Sequence, residues 1–176
     1  MKKYNIAVVG ATGAVGEAMF DILQERKFPI DNIYALASER SEGKKVMLGS
    51  KAITVTDLAK FDFSLADIAL FSAGGAISAK FAPMAGESSC VVIDNTSHFR
   101  YEDDIPLIVP EVNPCKISEY TNRNIIANPN CSTIQMLVAL KPIYDAAGIK
   151  RITVSTYQAV SGSGTAAVNE LAKQTA

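Results

Sequence analysis

The sequence lacks an excess of charge of either sign. Its 17 lysines and arginines stand against 18 aspartates and glutamates, which leaves a net charge of -1. A chain this close to neutrality has no bulk electrostatic attraction to nucleic acid or to an anionic membrane surface. We therefore expect any anion site to be local, and we expect a small-molecule substrate as the partner, with no nucleic acid and no membrane.

Cysteine and histidine are also scarce. The three cysteines are far apart in the sequence, and the single histidine is His98. They are too few for a disulfide framework or a four-ligand zinc site, so we predict no structural metal. No run of 18 apolar residues exists, and the chain opens with a short strand-like segment in place of an apolar leader. These features predict a cytoplasmic protein.

What is present indicates an ordered protein of the α/β class. The 176 residues, 48% of them hydrophobic, suffice for one domain, or for one domain and a piece of a second. Apolar runs predict strands at 4–9, 33–37, 68–71, 90–93, 108–109, 124–127 and 150–159, and a hairpin over 44–55. Helical spacing predicts helices at 14–26, from near 76, from after Pro129 to 147, and at 165–176. This alternation predicts a Rossmann-type, doubly wound and mainly parallel sheet.

A glycine-rich loop connects the first predicted strand to the first predicted helix. It carries glycines at 10, 13 and 16, in a GxxGxxG pattern. Glycine allows a tight turn and a close approach to a pyrophosphate, whose charge the helix start stabilises. A packing turn would also require glycine, but the flanking strand and helix favour a dinucleotide site. The predicted contacts are Gly10, Thr12, Gly13, Ala14 and Val15.

The end of the second predicted strand bears on the choice of cofactor. An acidic side chain there would bind a ribose hydroxyl of NAD, and a basic one would bind the 2′-phosphate of NADP. Arg40, with Ser38 and Ser41, can hold a phosphate through charge-assisted hydrogen bonds, whereas Glu39 can bind the NAD ribose. We predict NADP, although both charges can also be solvated loop residues.

Cys131 lies where an extended segment gives way to a helix. The positive end of a helix dipole favours the thiolate, which is the nucleophilic form of cysteine. Backbone amides at the same helix start can hold the oxyanion of a tetrahedral intermediate. The competing interpretation, a buried small hydrophobic residue, fits Cys90 and Cys115 better.

Seven ordered motifs resemble those of the aspartate-semialdehyde dehydrogenase family. They are GATGAVG at 10–16, SER at 38–40, SAGG at 72–75, DNTSHFR at 94–100, VPEVN at 109–113, NPNCST at 128–133 and TYQAVSGSGT at 156–165. Enzymes of that family use NADPH to convert L-4-aspartyl phosphate to L-aspartate 4-semialdehyde through a cysteine thioester. The resemblance implies an oxidoreductase on the route to lysine, threonine, methionine and diaminopimelate that forms a homodimer or a dimer of dimers.

The resemblance also implies roles for individual residues. Cys131 would be the nucleophile with Asn130 beside it, and Gln158 would contact the substrate near its reactive carbonyl. Arg100 resembles the family's arginine that binds the substrate phosphate. From their position, the neighbouring Asn95 and Thr96 can add hydrogen bonds at the same edge of the sheet or can form a loop cap. The cofactor site would extend to Ser72, Ala73, Gly74, Ser161 and Gly162.

The chain departs from the family in length, because family members are much longer. Beyond the matching segment the family carries a histidine acting as general acid and base and an arginine for the substrate carboxylate. His98 cannot be assumed to replace that histidine. We therefore expect an NADP-binding domain over 1–127 and the first piece of a catalytic and dimerisation domain over 128–176, in a chain that binds NADP without full activity.

Two alternatives remain open. An enzyme similar to N-acetyl-glutamyl-phosphate reductase would share the glycine loop and a catalytic cysteine. A non-catalytic dinucleotide-binding module would share the loop alone and leave Cys131 without a role.

Overall fold

The computed structural model describes residues 2–176. The strands are β1 (Tyr4–Val9), β2 (Ile30–Ala37), β3 (Lys45–Leu48), β4 (Lys51–Asp57), β5 (Ile68–Phe71), β6 (Val91–Asp94) and β7 (Ile125–Ala127). The α-helices are α1 (Ala14–Glu25), α2 (Gly75–Glu87), α3 (Cys131–Ala147) and α4 (Thr165–Thr175). Short 3₁₀ turns connect several of these elements.

The seven strands form one sheet in the order β3-β4-β2-β1-β5-β6-β7. All neighbouring strands are parallel except β3 and β4, which form the predicted antiparallel hairpin. The chain moves from β1 to one side through β2 and to the other through β5, so the sheet is doubly wound. Its topological switch point lies between β1 and β5, and open α/β sheets bind ligands at the carboxyl ends of the strands at such a point.

Two hydrophobic clusters cover the two faces of the sheet. Ala7 and Val9 belong to the cluster with α2, whereas Ile6 and Val8 belong to the cluster with Phe20 of α1. This division follows from the two-residue period of a strand, which sends alternate side chains to opposite faces. Because both faces are covered, β1 is an almost continuous apolar run, as expected of a central parallel strand.

Most predicted elements are confirmed, with boundary changes of a few residues. The strand predicted at 108–109 is wrong, because these two residues form no strand and only the preceding Leu107 makes an isolated bridge, to Ala127. The strand predicted at 150–159 is also wrong: the segment has no strand hydrogen bonds, and most of its residues are exposed. Polar and apolar residues alternate in this segment, but a strand also needs a neighbouring strand to pair with its backbone groups. Among residues 2–176 no strand lies beside it.

The side chains of the helices after β7 are little buried by the rest of the described chain. No residue from 131 to 176 is buried, and Ile143, Tyr144 and Leu171 are among the exposed apolar side chains. The helix predicted after Pro129 is confirmed as α3, and Gly148 ends it with a φ of 68°. No helix within residues 2–176 combines the length and apolar character that crossing a bilayer demands.

Candidate active site at the carboxyl edge of the sheet

The glycine loop lies directly at the switch point of the sheet. Gly10 follows β1 with a φ of 90°, and a Cβ on it would come within 3.0 Å of backbone atoms of Ser72 and Ala73. A Cβ on Gly16 would lie 2.2 Å from the carbonyl oxygen of Gly10. Both positions therefore require glycine, because α1 and the end of β5 pack against the backbone of this loop.

A cavity of about 590 Å³ opens above the loop. Seven residues predicted to bind the cofactor line it: Gly10, Thr12, Gly13, Ser38, Arg40, Ser72 and Ala73. Ala14, Val15, Ser41 and Gly74 adjoin these residues in the sequence without lining the cavity. Gly13 caps α1 without a side-chain hydrogen bond, so the first amides of that helix face no side-chain acceptor. This arrangement suits an anionic group such as a pyrophosphate.

Charged residues surround the far end of this cavity, where β2 and β4 end. Glu39 and Arg40, on the turn Glu39–Ser41, both line it. The hydroxyl of Ser41 accepts a hydrogen bond of 3.4 Å from Lys44. Lys60 forms an ion pair of 2.9 Å with Glu42, and the hydrogen bond and charge of Glu42 raise the pKa of Lys60. Arg40 has no carboxylate within 4.0 Å among residues 2–176, so its charge is available to a ligand.

The candidate nucleophile stands at the first position of α3. Asn130 caps this helix, because its side-chain oxygen accepts hydrogen bonds from the backbone and the hydroxyl of Ser132, at 3.1 and 2.7 Å. Cys131 follows immediately and is exposed. The cap explains why the sequence needs asparagine here, since its oxygen satisfies an otherwise free amide of the first turn.

A second cavity, of about 420 Å³, surrounds the thiol. The amide nitrogen Nε2 of Gln158 lies 3.7 Å from the sulfur of Cys131, within hydrogen-bonding reach of a sulfur acceptor. A Cβ on Gly162 would lie 3.0 Å from the same nitrogen, so glycine leaves room for the amide. Ser161 and Gly162, which the resemblance assigns to the cofactor, line this thiol cavity and not the cavity above the glycine loop.

The other two cysteines differ from Cys131. Cys90 is fully buried beside β6, and burial raises the pKa of its thiol to about 12. The interpretation of Cys90 as a small core residue is therefore confirmed. The same interpretation is wrong for Cys115, which is exposed on the 3₁₀ turn Pro114–Asn122.

Arg100 is held between the ends of β6 and β7. Its Nε donates to the carbonyl oxygen of Asn128 at 3.0 Å, and its Nη2 donates to that of Asn95 at 3.2 Å. The side chain of Asn128 donates in turn to Oδ1 of Asn95 at 2.6 Å. No carboxylate of residues 2–176 lies within 4.0 Å of the guanidinium, so Arg100 keeps an unpaired positive charge.

The turn that carries Arg100 is anchored on a buried carboxylate. Asp94 is completely buried and accepts hydrogen bonds from the hydroxyl of Ser78 at 2.7 Å and the hydroxyl of Thr96 at 2.7 Å. The backbone amide of Thr96 adds a third hydrogen bond. Of the two roles predicted for Thr96, the loop cap fits the structure, because its hydroxyl donates to Asp94. His98 is exposed, with its ring centroid 4.6 Å from that of Phe99.

Sequence reasoning assigned no role to Asp94 or Asn128. Both lie within the motifs named above, but Ser78, one partner of Asp94, and Asn95, the partner of Asn128, are 16 and 33 positions away, so only the folded structure brings them together. The described residues contain no group of three or more His, Cys, Asp or Glu side chains suited to a metal ion.

A glycine loop at the switch point of a parallel sheet defines a Rossmann-type dinucleotide-binding protein. The model of the semialdehyde dehydrogenase NAD binding domain matches residues 5–120, and that of the semialdehyde dehydrogenase dimerisation domain matches residues 140–176. The chain belongs to the semialdehyde dehydrogenase family.

Individual relatives agree with this family. Aspartate-semialdehyde dehydrogenase 2 of Vibrio cholerae is 65% identical over 175 residues, which are 99% of this chain and 52% of the relative. The crystal structure of aspartate semialdehyde dehydrogenase II from Vibrio cholerae, complexed with ASA, superposes with a TM-score of 0.97 at 64% identity, over 99% of this chain and 52% of that one. The Candida albicans enzyme with NADP has a TM-score of 0.66 at 27% identity, over 84% of this chain and 48% of that one. The chain spans about half the length of the curated relatives it matches.

Proposed function

We propose that this chain supplies the cofactor site and the nucleophile of an aspartate-semialdehyde dehydrogenase. The proposed reaction is the NADPH-dependent reductive dephosphorylation of L-4-aspartyl phosphate to L-aspartate 4-semialdehyde. The observation that carries the proposal is the pairing of the Cys131 sulfur with the Gln158 amide, 3.7 Å apart, at the start of α3. The relatives named above support the choice of substrate.

The strand order of the sheet determines how far the start of the thiol helix lies from the glycine loop. Val9 of β1 pairs with Phe71, Phe71 pairs with Asp94, and Asp94 pairs with Ala127 of β7. The carboxyl ends of β1 and β7 are therefore three strand spacings apart, about 14 Å. The loop that follows β1 and the helix that follows β7 thus share one edge of the sheet, where one extended ligand and one substrate can meet.

The proposed chemistry begins at the sulfur of Cys131. Its thiolate attacks the acyl carbon of aspartyl phosphate, so a C–S bond forms while the C–O bond to phosphate breaks and phosphate leaves with the electron pair. The unpaired charge of Arg100 suits the departing phosphate. The amides of the first turn of α3 can stabilise the oxyanion of the tetrahedral intermediate. Once the acyl carbon has been reduced, the C–S bond breaks and the sulfur leaves as thiolate, which releases the aldehyde.

The residues around the first cavity fit an NADP molecule. Gly10 and Gly13 leave the loop without side chains where a pyrophosphate would approach the start of α1, and Arg40 can bind the 2′-phosphate. Bound there, NADPH would supply the hydride for reduction of the thioester. Ser161 and Gly162 line the thiol cavity, so we propose that they contact the nicotinamide end of the cofactor.

We also propose that residues 1–127 act as the cofactor-binding unit and 128–176 as part of the catalytic and dimerisation unit. In the family, a general acid–base histidine and a carboxylate-binding arginine lie outside the part of the sequence that this chain matches. The 176-residue chain alone should therefore bind NADP but turn over aspartyl phosphate at a negligible rate. The assembly proposed for the whole enzyme is a homodimer or a dimer of dimers, which the match to a dimerisation domain supports.

Acylation of Cys131 tests this proposal without requiring a full catalytic cycle. We expect L-4-aspartyl phosphate to form a hydroxylamine-labile adduct on Cys131, with release of one phosphate per adduct, and Cys131→Ser to form none. N-acetyl-glutamyl phosphate serves as the matched competitor and should react far more slowly. Preference for the acetylated substrate would support the related reductase instead. Absence of any adduct, with NADP binding intact, would support the non-catalytic module.

A further inference from the structure

The side chains of Asn95 and Asn128 meet at the carboxyl edge of the sheet. Asp94 of β6 and Ala127 of β7 are direct register partners, and each asparagine directly follows the end of its strand. The strand ends therefore bring together two residues that are 33 positions apart in the sequence. Nδ2 of Asn128 donates to Oδ1 of Asn95 at 2.6 Å, and this contact is partly buried.

The backbone carbonyls of the same two asparagines hold Arg100. Its Nε donates to the carbonyl of Asn128 at 3.0 Å, and its Nη2 donates to the carbonyl of Asn95 at 3.2 Å. Because the two carbonyls belong to different strands, their spacing depends on how the strand ends are joined. The bond between the asparagine side chains links the two strand ends beyond the last backbone hydrogen bond between them, which runs from the amide of Asn128 to the carbonyl of Asp94.

Backbone hydrogen bonds also hold the main chains of the two asparagines. The amide of Asn128 donates to the carbonyl of Asp94 at 2.8 Å, and the amide of Asn95 donates to that of Phe71 at 2.9 Å. Both main chains are thus held by their neighbouring strands. The Nε and Nη2 atoms of Arg100 each donate to a carbonyl, and Nη1 makes no hydrogen bond within residues 2–176. That nitrogen stays available for an anion.

Asn128 also lies close to the thiol helix. It precedes Cys131 by three residues, so the two Cα atoms are at most about 11 Å apart. Arg100 does not itself line the thiol cavity, and the inference takes a phosphate bound by it to lie near the mouth of that cavity. The hydrogen bond between the asparagine side chains therefore lies between the anion site and the helix that carries the nucleophile.

We infer that Asn128, through its side-chain bond to Asn95, is a positioning residue that orients Arg100 toward the phosphoryl group of the substrate. This inference rests on the proposed function, since it takes Arg100 as the phosphate ligand. Asn128 itself need not touch the substrate. It acts by holding two carbonyls at the separation that the guanidinium spans.

Phosphate protection of the thiol provides the test. Iodoacetamide labelling of Cys131 in the 176-residue chain is followed by peptide mass spectrometry at increasing inorganic phosphate, with chloride keeping the ionic strength constant. We expect phosphate to slow labelling of the native chain and Arg100→Ala to abolish this protection. Asn128→Ala and Asn95→Ala should each raise the half-protecting phosphate concentration about tenfold, since one tenfold change corresponds to about 1.4 kcal/mol of binding free energy.

Two controls separate positioning from a loss of structure. Asn122→Ala removes a comparable amide bond of 3.3 Å to the carbonyl of Asp104, away from this edge, and should leave protection unchanged. The dissociation constant for NADP should stay within twofold of the native value in the Asn128 and Asn95 variants. Asn128→Ala carries the test, because Asn95 is itself a candidate for substrate hydrogen bonds. If that variant does not fold, Asn128→Leu removes the same amide at similar side-chain volume.

The failures are distinguishable. If Arg100→Ala abolishes protection while the two asparagine variants behave like the native chain, the positioning role is overturned and the proposed function stands. If phosphate does not protect the native chain, or protects Arg100→Ala equally well, the role of Arg100 as phosphate ligand is overturned, and the inference falls with it.

Discussion

The amide nitrogen of Gln158 lies 3.7 Å from the sulfur of Cys131, although 27 residues separate them in the sequence. The segment that carries Gln158 has no strand partner, yet it returns to the start of α3 and forms one wall of the thiol cavity. In the proposed mechanism, this contact places a hydrogen-bond donor beside the atom that attacks the substrate and later leaves the thioester.

Loss of that donor should slow acylation of Cys131. In the proposed reaction this amide also reaches the substrate carbonyl, where negative charge develops, and removal of one such donor lowers a rate about a hundredfold. We expect Gln158→Ala to lower the rate constant for acylation by aspartyl phosphate by this factor. Gln174→Ala is a matched control, because its amide pairs only with Glu170 on the surface of α4. Equal acylation rates in the native chain and Gln158→Ala would rule out this role.

Replacement of Arg40 should separate the two nicotinamide cofactors. Arg40 lines the dinucleotide cavity and has no carboxylate partner in residues 2–176, so its charge is free for a 2′-phosphate. We expect Arg40→Ala to raise the dissociation constant for NADP about tenfold and leave that for NAD unchanged. Calorimetric titration measures both, with Lys51→Ala on β4 as the control. An equal loss for NADP and NAD would show that Arg40 does not bind the 2′-phosphate.

Substitution of Gly16 should damage the dinucleotide loop. A Cβ there would lie 2.2 Å from the carbonyl oxygen of Gly10, and neither backbone can move without displacing α1 from β1. We expect Gly16→Ala to lower the free energy of unfolding by about 1–3 kcal/mol and to weaken NADP binding. Gly75→Ala is the matched change, because its Cβ would meet only His98, at 3.8 Å. Urea unfolding of both variants should therefore give clearly different midpoints.

The buried thiol of Cys90 should make stability depend on alkaline pH. Burial raises the pKa of this thiol from 9.0 to about 12 in the folded chain. The native state then keeps a proton that the unfolded state loses, so stability is complete below pH 9 and falls as the pH rises toward 12. The slope should approach about 1.4 kcal/mol per pH unit. Urea unfolding between these limits should show this slope in the native chain, and Cys90→Ala should lack this contribution to it.

The features predicted correctly from the sequence are mainly local. The glycine loop, the helix start at Cys131 and the hairpin around Gly49 depend on neighbouring residues, so their patterns are visible in a short stretch of chain. The strand predicted at 150–159 was wrong because alternation of polar and apolar residues shows which face each side chain would take, but does not show whether a neighbouring strand is present. The link between Asn95 and Asn128 was not predictable for a related reason, since it exists only through the register of β6 on β7.

Selective alkylation tests the central claim, a reactive thiol at the start of α3, most directly. Iodoacetamide at neutral pH should label Cys131 at least tenfold faster than Cys115, which is also exposed but lies on a 3₁₀ turn, while Cys90 should remain unlabelled in the folded chain. Peptide mass spectrometry over a time course gives all three rates in one sample. Equal, slow labelling of Cys131 and Cys115 would contradict the account.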